Sequence, residues 1–114
     1  MLELTNKKCI PCSSDLPPMN DQEIALQRIL IPQWQVIEED QIKKLRRVFS
    51  FENFKSALAF TNTIGELAEA EGHHPLITTE WGKVTLMWWT HKIKGLHEND
   101  FIMAAKSDLL YKDR

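Results

Sequence analysis

The chain has 114 residues, 43% hydrophobic and 26% charged, which suits one soluble domain with a single core and leaves no room for a second. A formal net charge of −2 and a pI near 6.1 exclude a general electrostatic attraction to nucleic acid or anionic membrane. Apolar runs such as Ile29-Leu30-Ile31 and Leu86-Met87-Trp88-Trp89 are too short to span a bilayer, and the first residues lack the charged-then-apolar order of a secretory signal. A cytoplasmic location is the resulting expectation.

Residues 1–20 read as a flexible N-terminal arm of mixed polarity, carrying Pro11, Pro17 and Pro18 and no sustained period. Cys9 and Cys12 stand there in Cys-x-x-Cys spacing. A zinc site needs a second ligand pair, and a thioredoxin-like site needs the pair to open a helix after a strand, so a reduced, solvent-facing pair is expected. Residues 21–114 form the folded domain.

Asn20 or Asp21 caps a short helix with Ile24, Leu26, Ile29 and Leu30, stopped before Pro32. A strand over 34–37 follows, with Glu38-Glu39-Asp40 as its turn. Leu45, Arg47, Phe49 and Phe51 alternate, which predicts a second strand over 42–51 and a hairpin. Alternation also splits the basic run Lys43, Lys44, Arg46 and Arg47 between two faces, the pattern of a solvated strand. Ser50 is a plausible cap for the longest helix, 52–70, whose stripe is Phe54, Ala57, Leu58, Thr61, Ile64, Gly65 and Ala68. Gly72 ends that helix, and His74 is pushed towards extended geometry by Pro75.

A third strand is expected over 76–79, a turn over 80–83 and a fourth strand over 84–91. Val84, Leu86 and Trp88 face one way; Thr85, Met87, Trp89 and His91 face the other. Apolar groups on both faces imply that the second face is covered by a subunit or a ligand. After Gly95, a last helix over 96–111 turns Phe101, Ala104, Ala105 and Leu109 inward. The expected fold is α+β: a four-stranded antiparallel sheet with helices packed on one face, in the order helix, two strands, helix, two strands, helix.

Three of the four histidines fall within 73–91. His73 and His74 leave the long helix, and the 76–91 hairpin returns His91 to the same end of the sheet. Imidazoles exchange protons near neutral pH, and two or three converging could give a proton to one substrate atom and take one from another. Such assistance contributes about 10²–10⁴-fold in rate. Glu69, one turn earlier, is placed to orient one of them. A three-histidine metal site is the sharper competitor, although neighbouring histidines on an extended segment point to opposite faces. His97 reads as a residue without chemistry. Trp34, Trp88 and Trp89 suit either the core or the walls around a flat heteroaromatic ligand.

Glu69, His73-His74-Pro75, Trp81, His91 and Asp100 together make a spaced signature that resembles the pterin-4a-carbinolamine dehydratases. Leu45, Arg47, Phe49, Phe51, Phe54, Ala57 and Phe60 are similar to the family's second strand and long helix, and the likeness runs from about 21 to 112. The resemblance implies dehydration of 4a-hydroxytetrahydropterin to quinonoid dihydropterin, without metal or organic cofactor, recycling the pterin of aromatic amino-acid hydroxylases such as phenylalanine hydroxylase. It implies a site of His73, His74 and His91, supported by Glu69. His73 and His91 take the acid–base roles and His74 orients substrate, though these roles could exchange. Gly72, Pro75, Thr90 and Lys92 are implied substrate contacts, with Trp34, Trp81 and Trp89 as walls; Asp100 is structural first and a contact second. Gly72 and Trp89 depart from the aspartate and the small residue of some members. Dimers or tetramers are implied. The alternatives are a non-catalytic pterin-binding or dimerisation module of transcriptional-coactivator type, and action on another pterin.

Overall fold

The computed structural model describes residues 3–10 and 17–113. Four helices are α1 (Glu3–Asn6), α2 (Asp21–Arg28), α3 (Phe54–Glu71) and α4 (Glu98–Lys112). Four strands, β1 (Gln35–Glu39), β2 (Ile42–Ser50), β3 (Leu76–Glu80) and β4 (Lys83–Trp88), form one antiparallel sheet in the order β1-β2-β4-β3. This is the α+β fold expected from the sequence, and no described helix is long and apolar enough to cross a membrane.

The register explains which face is buried. Leu45 sits opposite Trp88, Arg47 opposite Leu86 and Phe49 opposite Val84, so these six share the face covered by α3 and α4. Leu45, Phe49, Val84, Leu86 and Trp88 are fully buried. Phe49 is ringed by Trp34, Phe60 and Tyr111 at centroid distances of 5.8, 4.9 and 5.0 Å. Such aromatic pairs contribute about 0.5–1.5 kcal/mol each beyond their burial.

Several local expectations are corrected. Ser50 is still paired with Lys83 in the sheet, so the α3 cap falls to Asn53, whose side chain accepts the Ser56 N–H at 2.8 Å. The buried stripe of α3 is Ala57, Phe60, Ile64 and Ala68, which leaves Phe54 and Leu58 exposed. β1 extends through Glu39, and Asp40 and Gln41 make the turn at φ 52° and 66°, the left-handed geometry that matches strand twist in a two-residue hairpin. Arg47 is not solvated: its Nη1 donates to Asp108 Oδ1 at 2.5 Å beneath the sheet, and Trp34 Nε1 donates to the same oxygen at 2.9 Å.

The arm is docked where it is described. Leu4 of α1 is buried in the core, and α1 packs on α4. This contact explains why α4 is buried nearly all round, including Ile102 and Met103, while Leu109 points outward. Cys9 is half-buried rather than solvent-facing, with its Sγ 3.9 Å from Asn99 O; Cys12 lies outside the described residues. Beyond the sheet's uncovered face, Val48 and Leu76 are exposed.

Candidate active site

The site begins with the way α3 stops. Gly72 takes the left-handed conformation, φ 66° and ψ 29°, and the His73 N–H bonds back to Ala68 O at 3.1 Å. That closure aims two consecutive histidines in different directions. His73 turns inward and is only 8% exposed. Its ring lies parallel to Trp88, with centroids 5.8 Å apart and planes at 7°. Its Nε2 meets Asp100 Oδ1 at 2.6 Å.

Asp100 is itself fully buried at the start of α4. Its Oδ2 accepts from Thr90 Oγ1 at 2.8 Å and from the His97 N–H at 2.9 Å. The second of these is half of a capping box; the His97 ring supplies the other half by accepting the Asn99 N–H at 3.1 Å. A carboxylate only accepts, so this contact favours the His73 tautomer with its hydrogen on Nε2, which leaves Nδ1 as the acceptor. Asp100 thus contacts the His73 ring, and the His97 N–H, on a residue expected to be without chemistry, helps hold Asp100.

His74 faces solvent, with its Nε2 2.5 Å from Glu69 Oε2. Both side chains are well exposed, so the contact orients the imidazole and contributes little stability. His91 does not lie on a strand. β4 ends at Trp88, Thr90 bridges to Gly95, and His91 opens a 3₁₀ turn, His91–Ile93. Its ring packs on Trp89 at 4.6 Å and makes no hydrogen bond among the described residues. The imidazole is exposed to solvent.

Gly72, His73, His74, Thr90, His91 and Lys92 line one cavity of about 200 Å³. The other expected contacts lie elsewhere. Trp34 is wholly buried against Phe49, and Trp81 is 71% exposed in the β3–β4 turn, at the opposite end of the hairpin from His73. Neither they nor Trp89 and Pro75 line the cavity; Trp89 supports His91 and carries Lys44 Nζ 4.2 Å above its ring. Cys9, Ile10, Glu71 and Asn99 complete the walls, and sequence reasoning missed all four. Glu71 bonds the Cys9 N–H at 2.9 Å and Lys106 Nζ at 3.1 Å. The Cys9 N–H, aided by Lys106 and Lys8, holds the Glu71 carboxyl below its ordinary value against the opposing effect of burial. Among the described residues no three His, Cys, Asp or Glu side chains form a group that could hold a metal ion.

Residues 17–110 match the family model described as pterin 4 alpha carbinolamine dehydratase. A protein of Chlorobaculum tepidum named "putative pterin-4-alpha-carbinolamine dehydratase" is 52% identical over 110 residues, covering 96% of this chain and 99% of the relative. The crystal structure of a transcriptional coactivator/pterin dehydratase from Brucella melitensis has a TM-score of 0.73 at 26% identity, over 82% of this chain and 97% of that one. A pterin dehydratase-like protein, identified as a RuBisCO assembly factor in the alpha-carboxysome, shares the fold with a TM-score of 0.56 at 23% identity, over 68% and 89%. The sheet, its helices and the histidine corner thus define an α+β domain of the pterin-dehydratase kind. The chain belongs to the pterin-4a-carbinolamine dehydratase family.

Proposed function

We propose that this protein dehydrates 4a-hydroxytetrahydropterin to quinonoid dihydropterin by histidine acid–base catalysis, recycling pterin for an aromatic amino-acid hydroxylase in the cytoplasm. The observation that carries the reading is the difference between two imidazoles on one cavity. His73 is buried with its Nε2 against Asp100, which suits Nδ1 to accept a proton, and His91 is open to solvent. His91, as imidazolium, protonates the C4a hydroxyl; the C4a–O bond breaks and water leaves. His73 Nδ1 removes the N5 proton, and the electrons of the N5–H bond form C4a=N5. The net result is one proton moved from His91 to His73, which bulk water restores. His74, with Glu69, orients the ring. A cavity of about 200 Å³ suits a flat bicycle whose substituent stays in solvent.

Decay of 4a-hydroxytetrahydropterin, followed by absorbance, tests this. Wild type should accelerate water loss beyond buffer, and His73→Ala and His91→Ala should each lose about 10²–10⁴-fold in kcat. No acceleration by wild type, or full activity in both variants, refutes it. Equal activity after exhaustive chelation would dispose of a metal-dependent route.

A second reading, self-association or partner binding without catalysis, is favoured by exposed apolar side chains away from the cavity: Phe54 and Leu58 on α3, Val48 and Leu76 on the sheet. A dimer or tetramer would cover them. Sedimentation of wild type beside Leu58→Glu distinguishes this surface from the histidine site, because the substitution should alter mass and spare the cavity.

A further inference from the structure

We infer that Cys9 and Ile10 of the N-terminal arm form a substrate-binding wall of the histidine cavity, with Ile10 as the residue that grips the pterin. The inference rests on the dehydratase reading and adds to it a part of the site that lies outside the family-matched stretch, which begins at residue 17.

Cys9 and Ile10 line the same cavity as His73, His74 and His91. Both arm residues are latched by side chains that adjoin the histidine–carboxylate pair in sequence. Glu71, two residues before His73, accepts the Cys9 N–H at 2.9 Å. Asn99, next to Asp100 and almost wholly buried, binds both backbone groups of Ile10: its Oδ1 accepts the Ile10 N–H at 3.0 Å and its Nδ2 donates to Ile10 O at 2.8 Å. A side-chain amide that satisfies both groups of one residue holds that residue as a neighbouring strand would, and it commits a buried asparagine to that task. Lys7, paired with Glu98 at 2.7 Å, anchors the arm just before the cavity.

Ile10 itself completes the case. Its backbone is held on both sides, yet its side chain is 55% exposed at a cavity whose other side chains are mostly polar: three imidazoles, Glu71, Thr90, Lys92 and Asn99, beside Cys9. A fixed apolar side chain beside polar catalytic groups offers a contact for the face or edge of a flat ring, and ligand binding would remove it from water. The arm therefore acts on binding, while the proton transfers stay with the histidines. A loose arm would be felt as weaker affinity with unchanged chemistry.

Steady-state dehydration kinetics of the full-length protein test this, together with equilibrium binding of 7,8-dihydrobiopterin as an unreactive probe. Ile10→Ser, at an exposed position, should raise KM and the probe's Kd roughly five-fold and leave kcat within about two-fold of wild type. Asn99→Ala, which removes two hydrogen bonds from the Ile10 backbone, should do the same, and Leu26→Ser, an equally simple change at a residue 68% exposed and away from the cavity, should do neither. Unchanged KM and Kd in Ile10→Ser with an active wild type overturn the arm's role alone. So does a fall in kcat without a rise in KM. A wild type that neither dehydrates the carbinolamine nor binds the probe overturns the dehydratase reading, and the arm's role in it falls with it.

Discussion

Asp100 meets the ring of His73 at 2.6 Å while capping the helix on which it sits, so one buried carboxylate both orients an imidazole and starts α4. Asp100→Asn tests what the pairing does. The amide would present N–H towards one of its present donors, and the His73 ring would be free to carry its hydrogen on Nδ1 instead of Nε2. Loss of kcat of about 10²-fold or more is expected, with substrate KM little changed and most of the helical circular dichroism retained. Wild-type kcat in Asp100→Asn would show that the carboxylate is structural only.

Two carboxyls should pull the acid limb of the stability curve in opposite directions. Glu71 titrates below its ordinary value of 4.5, chiefly because of the Cys9 N–H. Its contribution is present above pH 4.5 and is lost as pH falls through the depressed folded-state value. Asp108 titrates above its ordinary value of 3.8, because burial outweighs the N–H groups of Trp34 and Arg47. A raised carboxyl penalises the folded state at higher pH, and the penalty fades as pH falls from the folded-state value towards 3.8. Glu71→Gln should flatten the loss of stability on acidification, and Asp108→Asn should steepen it. Urea unfolding between about pH 3 and 7 reads both slopes.

Gly95 has no room for a side chain. A Cβ built there would lie 2.6 Å from Pro18 Cβ, and the residue also closes the bridge to Thr90. Gly95→Ala should cost about 1–3 kcal/mol by overpacking. Because the 90–95 loop carries His91, kcat/KM should fall with it. A thermal scan with parallel kinetics checks both effects, and an unshifted Tm would contradict the close approach.

Phe49 is the centre of the aromatic cluster and has no solvent exposure. Phe49→Ala should destabilise the fold by about 3–5 kcal/mol, measured by denaturant midpoint, by loss of buried area and the cavity left behind.

Alternation and helical spacing made the sheet, α3 and α4 legible, because each of those signals is local. The deviations share a physical cause: a distant contact decided the outcome. Asn53 caps α3 because Ser50 is retained by Lys83 across the sheet. His91 leaves the strand because Thr90 pairs with Gly95. Trp34 is core, where its indole N–H finds Asp108 from α4, and nothing near it in sequence announces that partner. The spacing of the histidines and Asp100 picked out side chains that the fold gathers at one corner, but whether Asp100 met a histidine or only capped a helix depended on a pairing 27 residues apart. The arm was the least legible part. Its partners Glu71 and Asn99 stand 62 and 89 residues away, and a segment held by such contacts shows no period of its own.

Those long separations bear on how the protein is made. The cavity draws on residues 9–10 at the beginning of the chain, the 71–74 corner in its middle and residues 90–99 near its end. During synthesis at about 5–20 residues per second, the β1–β2 hairpin and α3 can emerge and take shape first. His73 then has no carboxylate, and Leu4 has no α4 to bury against, until the last helix clears the ribosome. A nascent chain stalled before residue 98 would carry all three histidines of the corner and lack both Asp100, which meets His73, and Asn99, which holds Ile10.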